Sequence, residues 1–121
     1  MKVIVIGATG TIGSAIVRAI GSRCEVIPVS LSQSLINVDI ADKTSISRMF
    51  ETTGRVDAVI SAAGLAKFGP MTSLSDADFA LGLNSKLMGQ VNLARPGIKH
   101  VNDNGSFTLT SGILSRHAND L

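Results

Sequence analysis

The sequence is poor in the residues that build several common kinds of site. Its 121 residues contain no tryptophan, no tyrosine and one cysteine, and aromatic residues make up 3% of the chain. A single cysteine, Cys24, excludes an intrachain disulfide and a cysteine-rich metal site. Nucleic acid is not an expected partner, because single-strand binding needs stacking rings and a basic groove, and the net charge is only +2.

Long apolar runs and paired metal ligands are also missing. No segment reaches the roughly 18 consecutive apolar residues that a membrane span needs, so no membrane partner is expected. The first apolar run, Val3–Ile6, is interrupted by Gly7 and Thr9 and lacks a signal-peptide cleavage site, so we expect a cytoplasmic protein. His100 and His117 lie far apart without a carboxylate at a telling spacing, and no metal site is predicted.

What the chain does contain is an alternation of apolar strands and amphipathic helices. A hydrophobic fraction of 45% and a charged fraction of 17% are typical of one globular domain, spanning residues 1–121. Strands are predicted at Lys2–Ile6, Glu25–Val29, Leu35–Asp39, Val56–Ser61 and Ser106–Ser111. Helices are predicted at Thr11–Ile20, between a cap at Asp42 and a stop at Gly54, and from Ser75 to Arg95–Gly97. The alternation predicts an α/β fold, a doubly wound, Rossmann-type parallel sheet of strand order 3-2-1-4-5.

A glycine-rich loop, Gly7-Ala8-Thr9-Gly10-Thr11-Ile12-Gly13, joins the first strand to the first helix. Glycines at this junction allow a tight turn and a close approach of a bound group, and the helix start favours an anion. A pyrophosphate is the expected guest. The predicted cofactor contacts in this loop are Gly7, Thr9, Gly10, Thr11, Ile12 and Gly13. The alternative is that the glycines serve only the turn between strand and helix.

The end of the second strand bears on the choice between NAD and NADP. NAD sites usually carry an acidic residue about 20 residues beyond the loop, which binds the ribose 2′-hydroxyl. Here the segment Val29-Ser30-Leu31-Ser32 has no carboxylate. Serine hydroxyls can donate to a 2′-phosphate that a carboxylate would repel. Ser30 and Ser32 therefore favour NADP, and NAD stays open because no arginine stands beside Ser30.

Four further motifs follow the glycine loop in order. They are Val38-Asp39-Ile40, Ser61-Ala62-Ala63-Gly64, Leu83-Asn84-Ser85-Lys86 and Leu109-Thr110-Ser111-Gly112. Together the five motifs resemble the short-chain dehydrogenase/reductase family along the whole chain. The resemblance implies that Asp39 and Ile40 lie at the adenine ring. It also implies cofactor contacts at Ala62, Ala63 and Gly64, and catalytic roles for Asn84 and Ser111.

The sequence departs from the family at three places. The loop has the G-x-x-G-x-x-G spacing of the extended and atypical branches, with Thr11 where the commonest branch has glycine. Ser61 and Ala62 replace two asparagines of the supporting turn. The family's Tyr-x-x-x-Lys motif has no counterpart, and the sequence ends ten residues past Ser111. We expect the amino-terminal part of a longer protein, because an uncovered apolar fifth strand invites pairing with another chain; the alternative is a member without the tyrosine.

The function that the resemblance implies is hydride transfer between NADP(H) and a small carbonyl or alcohol substrate, in an NAD(P)-dependent oxidoreductase. The alternative is a non-catalytic NADP(H)-binding regulatory or sensor module. Residue by residue, Asp39 and Ser111 can also be read as structural strand-end residues and Asn84 as a buried amide in a kinked helix. Lys86 is expected to be solvated. The long helix from Ser75 resembles the element through which family members dimerise, so a homo-oligomer is expected.

Overall fold

A five-stranded parallel sheet of order β3-β2-β1-β4-β5 forms the centre of the computed structural model, which describes residues 1–112. The elements are β1 (Lys2–Ile6), α1 (Thr11–Ile20), β2 (Glu25–Ser30), β3 (Ile36–Asn37), α2 (Lys43–Thr53), β4 (Val56–Ser61), α3 (Asp76–Leu81), a π-helical turn (Gly82–Leu87), α4 (Met88–Gly97) and β5 (Val101–Leu109). The predicted α/β class and strand order are confirmed. His117 lies outside the described residues.

Strand β1 is buried on both faces, which explains its run of β-branched residues. Ile4 and Ile6 pack in one core with residues of α2 and α4. Val3 and Val5 face the other side, against partly buried residues of α1. Because successive side chains of a strand point to opposite faces, one strand supplies the centre of both cores.

Three predicted helix signals are confirmed. The Asp42 side chain accepts a hydrogen bond from the Thr44 backbone N–H at 2.9 Å and caps α2. Gly54 follows that helix with a φ of +68°, a conformation that glycine adopts without a Cβ penalty. The segment Ser75-Asp76-Ala77-Asp78 has the spacing of a capping box, and Ser75 and Asp78 form that box reciprocally at the start of α3.

Strand β3 is shorter than predicted. It covers Ile36–Asn37 rather than Leu35–Asp39, and Leu35 is exposed. The Asp39 backbone N–H donates to the Ser45 hydroxyl at 2.9 Å instead of joining the sheet. Asp39 therefore lies beyond the strand, in the connection to α2.

Strand β5 begins earlier and ends earlier than predicted. Val56 pairs with Val101, but Ala58 pairs with Ser106. The run Asn102–Gly105, whose residues predict a turn before the strand, is therefore a bulge inside it. The Arg55 guanidinium donates to the carbonyls of Lys99 and Val101 and fixes the start of the strand. The strand ends at Leu109, so Ser111 lies in the segment after it.

The predicted long helix is interrupted by the π-helical turn. Phe79, Leu83, Leu87 and Val91 recur every four residues and predict one apolar face of that helix. The face does not enter the described core, because the first three are 48%, 57% and 55% exposed and Val91 is half-buried. Bonding from i to i+5 inserts an extra residue per turn, so positions after it no longer follow the 3.6-residue pattern. Within residues 1–112, no helix combines the length and the apolar character that crossing a membrane requires.

Candidate functional site

The carboxyl ends of β1, β2 and β4 meet at one edge of the sheet. Ile6 is in register with both Val29 and Ser61. The Gly7 and Ala8 N–H groups donate to the Val29 carbonyl at 2.9 and 3.0 Å. These bonds fix the glycine loop against the end of β2, at the strand edge where open α/β sheets bind ligands.

The three glycines of the loop differ in how much space a side chain would have. Gly7 has a φ of +82°, and a Cβ there would come within 2.6 Å of the Ala62 carbonyl oxygen. A Cβ on Gly13 would collide with the Gly7 carbonyl. A Cβ on Gly10 would meet nothing closer than the Gly7 carbonyl oxygen at 3.4 Å. Gly7 and Gly13 are therefore required by the loop's own packing, whereas Gly10 leaves space toward the cleft.

The start of α1 is open to an anion. Gly10 caps the helix without a side-chain hydrogen bond, and the first turn carries no acidic residue. The first backbone N–H groups of a helix have no intrahelical acceptor, and the helix dipole adds partial positive charge there. Thr11 and Ile12 are the first two residues of α1, so their N–H groups are among these, and their side chains are exposed.

A cleft of about 260 Å³ opens beside this loop. Most of the predicted cofactor residues line it, namely Gly7, Thr9, Gly10, Ser30, Asp39, Ile40, Ala62, Ala63 and Gly64. Thr11, Ile12, Gly13 and Ser32 are not among its lining residues. The residues that line it without having been predicted are Ile6, Leu31, Val38, Leu65 and Ser85. The cleft thus gathers the ends of three strands and two loops around the helix start.

The three polar residues predicted to contact the adenosine end of the cofactor differ in burial and in their hydrogen bonds. Ser30 is buried, and its hydroxyl oxygen accepts from the Gln33 N–H at 2.8 Å, which leaves its hydrogen free to donate. Ser32 is exposed and outside the cleft. Asp39 is exposed, and one carboxylate oxygen accepts from the Ala41 N–H at 3.0 Å. Its second oxygen can accept a hydrogen bond from a ligand.

In the π-helical turn, the residue that faces the cleft is Ser85. Its side chain is buried, and its hydroxyl accepts from the Leu65 N–H at 2.8 Å. Asn84 is exposed and lines neither this cleft nor the cavity beside Ser111. The reading of Asn84 as a buried amide is therefore wrong. Ser85 was not predicted, because hydrophobic periodicity does not reveal a π turn.

Ser111 lines a second, open cavity of about 480 Å³, between β5 and the helices that precede it. Gln90 holds the end of β5 there. Its amide oxygen accepts from the Thr110 N–H at 2.8 Å, and its amide nitrogen donates to the carbonyls of Thr110 at 2.9 Å and Lys86 at 3.2 Å. One side chain thus ties the residue before Ser111 to the π turn.

Lys86 is not the solvated helix residue that the sequence suggests. It is half-buried and lines the second cavity together with Ser111. Its stem passes over Gly64, where an added Cβ would come within 2.7 Å of the Lys86 Cδ atom. Gly64 lines the first cleft, so Lys86 lies at the boundary between the two cavities.

Ser61 and His100 are polar residues whose contacts stabilise the fold. The Ser61 carbonyl accepts from the Thr110 hydroxyl at 2.5 Å, while the buried Ser61 hydroxyl has no partner within residues 1–112. His100 stacks on Phe50, with ring centroids 4.8 Å apart. Ser61 therefore supports the sheet edge through its backbone rather than through its side chain.

The chain is similar to proteins that are described as NAD-dependent or as dehydrogenases. The sequence model of the NAD dependent epimerase/dehydratase family matches residues 3–98. The chain is similar to the protein lin1944 from Listeria innocua, with 44% identity over 97% of this chain and 58% of that one, and a TM-score of 0.93. A small-chain dehydrogenase solved in complex with NADPH is 30% identical over 98% of this chain and 54% of its own, with a TM-score of 0.88.

Curated proteins give more distant matches. Versicolorin reductase 1 of Aspergillus parasiticus is 26% identical, over 89% of this chain and 50% of its own length. Short chain dehydrogenase claC of Passalora fulva is 28% identical, over 67% of this chain and 32% of its own length. The chain therefore spans between about a third and a half of the length of these relatives.

Proposed function

The chain belongs to the NAD dependent epimerase/dehydratase family, and we propose that it forms the cofactor-binding part of an NADP(H)-dependent oxidoreductase of short-chain dehydrogenase type. The substrate would be a small carbonyl or alcohol. The observation that carries the proposal is the cleft at the glycine loop, where an open helix start and the space left by Gly10 meet. A pyrophosphate fits that arrangement because it is anionic and needs close backbone approach.

NADP is proposed over NAD for two reasons. No carboxylate follows β2, and the buried Ser30 hydroxyl has a hydrogen available for a 2′-phosphate oxygen. The NADPH-bound relative described above supports the same choice. Asp39 and Ile40 would lie at the adenine, and Ala62, Ala63 and Gly64 would line the path of the cofactor toward the second cavity.

The nicotinamide, when bound, supplies or accepts the hydride. Ser111 would donate a hydrogen bond to the substrate carbonyl oxygen, where negative charge develops during reduction. Gln90 would keep Ser111 in place through the Thr110 backbone. Asn84 stays a predicted catalytic residue, although its exposed side chain lines neither cavity.

A second candidate is a non-catalytic NADP(H)-binding regulatory or sensor module. It would bind the cofactor without the Tyr-Lys pair that the family uses for proton transfer. Both candidates use the same cleft, so binding of the cofactor does not separate them. Turnover does.

The proposal is tested by turnover with the full-length protein that carries this chain. NADPH consumption would be followed by absorbance with a panel of small aldehydes, ketones and oxo acids. Replacing Ser111 by alanine should lower kcat about 10²–10³-fold, the cost of losing one oxyanion donor, with NADPH affinity kept. Ser106→Ala, on the exposed part of β5, is the matched control and should leave kcat unchanged. NADPH binding without turnover of any member of the panel would favour the sensor module.

We also propose a homo-oligomer and a cytoplasmic location. The exposed Phe79 and Leu83, on α3 and the π turn, form an apolar surface that a second copy would cover. Sedimentation of the full-length protein should show a species larger than a monomer, and Leu83→Glu should dissociate it. A monomer at high concentration would contradict the oligomer.

A further inference from the structure

The cavity beside Ser111 combines an apolar wall with few polar side chains that remain available. Its apolar lining includes Ala66, Leu87, Val91 and Leu109. Its polar side chains are those of Lys86, Gln90, Thr110 and Ser111. A volume of about 480 Å³ is within the range of small-molecule sites.

Two of these polar side chains are already engaged. Both amide atoms of Gln90 are used, because its oxygen accepts from Thr110 and its nitrogen donates to two carbonyls. The Thr110 hydroxyl donates to the Ser61 carbonyl. Lys86 and Ser111 are therefore the side chains of this lining that can donate new hydrogen bonds to a ligand.

The charge of the cavity has one sign. Lys86 is the charged residue among its lining residues in the described part of the chain, and no carboxylate lines it there. The ion pair found within residues 1–112 joins Lys67 and Asp78 and does not involve Lys86. A ligand that brings its own negative charge would be attracted to the Lys86 ammonium, and no lining carboxylate within residues 1–112 would oppose it.

Contacts with neighbouring residues hold Lys86 in place. It lies in the π-helical turn, an element found frequently at functional sites. Its stem packs over Gly64, and its backbone carbonyl accepts from the Gln90 amide at 3.2 Å. The same Gln90 holds Thr110, next to Ser111. The side-chain amide of Gln90 therefore links the backbone of Lys86 to the residue before Ser111.

We propose that this cavity binds an anionic carbonyl compound, an oxo acid. The Lys86 ammonium pairs with its carboxylate, the Ser111 hydroxyl donates to its carbonyl oxygen, and its hydrocarbon part lies against Leu87, Val91 and Leu109. The inference rests on the proposed function, because it treats the cavity as the substrate site beside the cofactor cleft. Lys86 is then a specificity-determining residue, which selects the acid over neutral carbonyl compounds of the same shape.

The test is a binding measurement that needs no turnover. The full-length protein is saturated with NADP⁺ and titrated by calorimetry with 2-oxohexanoate and with its methyl ester, and then with phenylpyruvate and its methyl ester. At least one acid should bind about 10- to 100-fold more tightly than its ester, the range expected for a hydrogen bond to a charged group. Rising salt should weaken binding of the acid and leave the ester unaffected.

Three variants make the test specific. Lys86→Met keeps an unbranched stem over Gly64 and should abolish the preference for the acid, whereas Lys86→Arg should retain much of it. Lys67→Met is the matched control, since Lys67 is exposed, and should behave as wild type. Equal binding of acid and ester in the wild type, or a preference that survives in Lys86→Met, would overturn the inference while leaving the proposed function standing. Failure to bind NADP⁺ would contradict both.

Discussion

Gly13 packs so closely on the carbonyl of Gly7 that no side chain fits between the start of α1 and the end of β1. Gly10, between them in the sequence, has no such neighbour and faces the cleft. The glycine motif therefore contains two separable requirements. Gly13 is required for the packing of the fold, whereas Gly10 leaves space for the ligand.

Alanine at Gly13 should lower the stability of the fold, whereas alanine at Gly10 should lower the affinity for NADPH. Gly13→Ala should lower the free energy of unfolding by about 1–3 kcal/mol, as overpacking does. Gly10→Ala should change stability by no more than about 1 kcal/mol, because Gly10 is extended (φ −79°, ψ 177°). It should nevertheless weaken NADPH binding about tenfold, equivalent to about 1.4 kcal/mol. Urea unfolding and NADPH titration measure the two effects. If the two variants had the same stability and lost the same NADPH affinity, the distinction between Gly13 and Gly10 would be contradicted.

Gln90 should be important for stability as well as for the placement of Ser111. Gln90→Leu leaves the Thr110 N–H without its acceptor in a part-buried place, which should cost about 1–3 kcal/mol of unfolding free energy. Gln33→Leu is the matched control in an exposed loop and should cost less than about 0.5 kcal/mol. Thermal or urea unfolding compares the two variants. Similar costs at both positions would contradict the role given to Gln90.

The pH dependence of stability should depend in part on Asp57. The pKa of its carboxyl lies below the usual value, because the Lys2 backbone N–H donates to it at 2.7 Å and Asn102 donates at 3.0 Å. A depressed folded-state pKa adds stability above the unfolded-state pKa and loses it as the pH falls through the folded-state value. The stability difference between wild type and Asp57→Asn should therefore be constant above about pH 5 and shrink below about pH 4.

Urea unfolding at a series of pH values measures this difference. Asp103→Asn is a control on the exposed part of β5, where the carboxylate accepts no hydrogen bond from residues 1–112. Its effect on stability should be smaller at every pH. A wild-type minus Asp57→Asn difference that does not change between pH 3 and pH 6 would contradict the role of Asp57.

Local patterns predicted the fold well. The run of β-branched residues before Gly7 placed β1, and the caps at Asp42 and Ser75 placed two helix starts, because each signal involves neighbouring residues. The strand order followed from the alternation of elements and the handedness of their connections. The end of β3 and the start of β5 were misplaced because they depend on the bond that Ser45 accepts from Asp39 and on the bonds that Arg55 donates, which no local pattern contains.

The site was predicted less completely, for a similar reason. The glycine loop and most of the cleft's lining were found from motifs that follow strands directly. Ser85 and Lys86 were misjudged because a π turn changes which residues face inward, and hydrophobic periodicity does not show it. Gln90 was missed because its contacts with Thr110 join two elements 20 residues apart. Such contacts require the folded chain.

The central claim is that the cleft at the glycine loop binds a dinucleotide, and titration of the full-length protein with NADPH and NADH tests it most directly. The account predicts saturable NADPH binding at one site, weaker binding of NADH, and a smaller difference between the two in Ser30→Ala. Equal affinities for both nucleotides would contradict the role given to Ser30. Failure of either nucleotide to bind would contradict the claim itself.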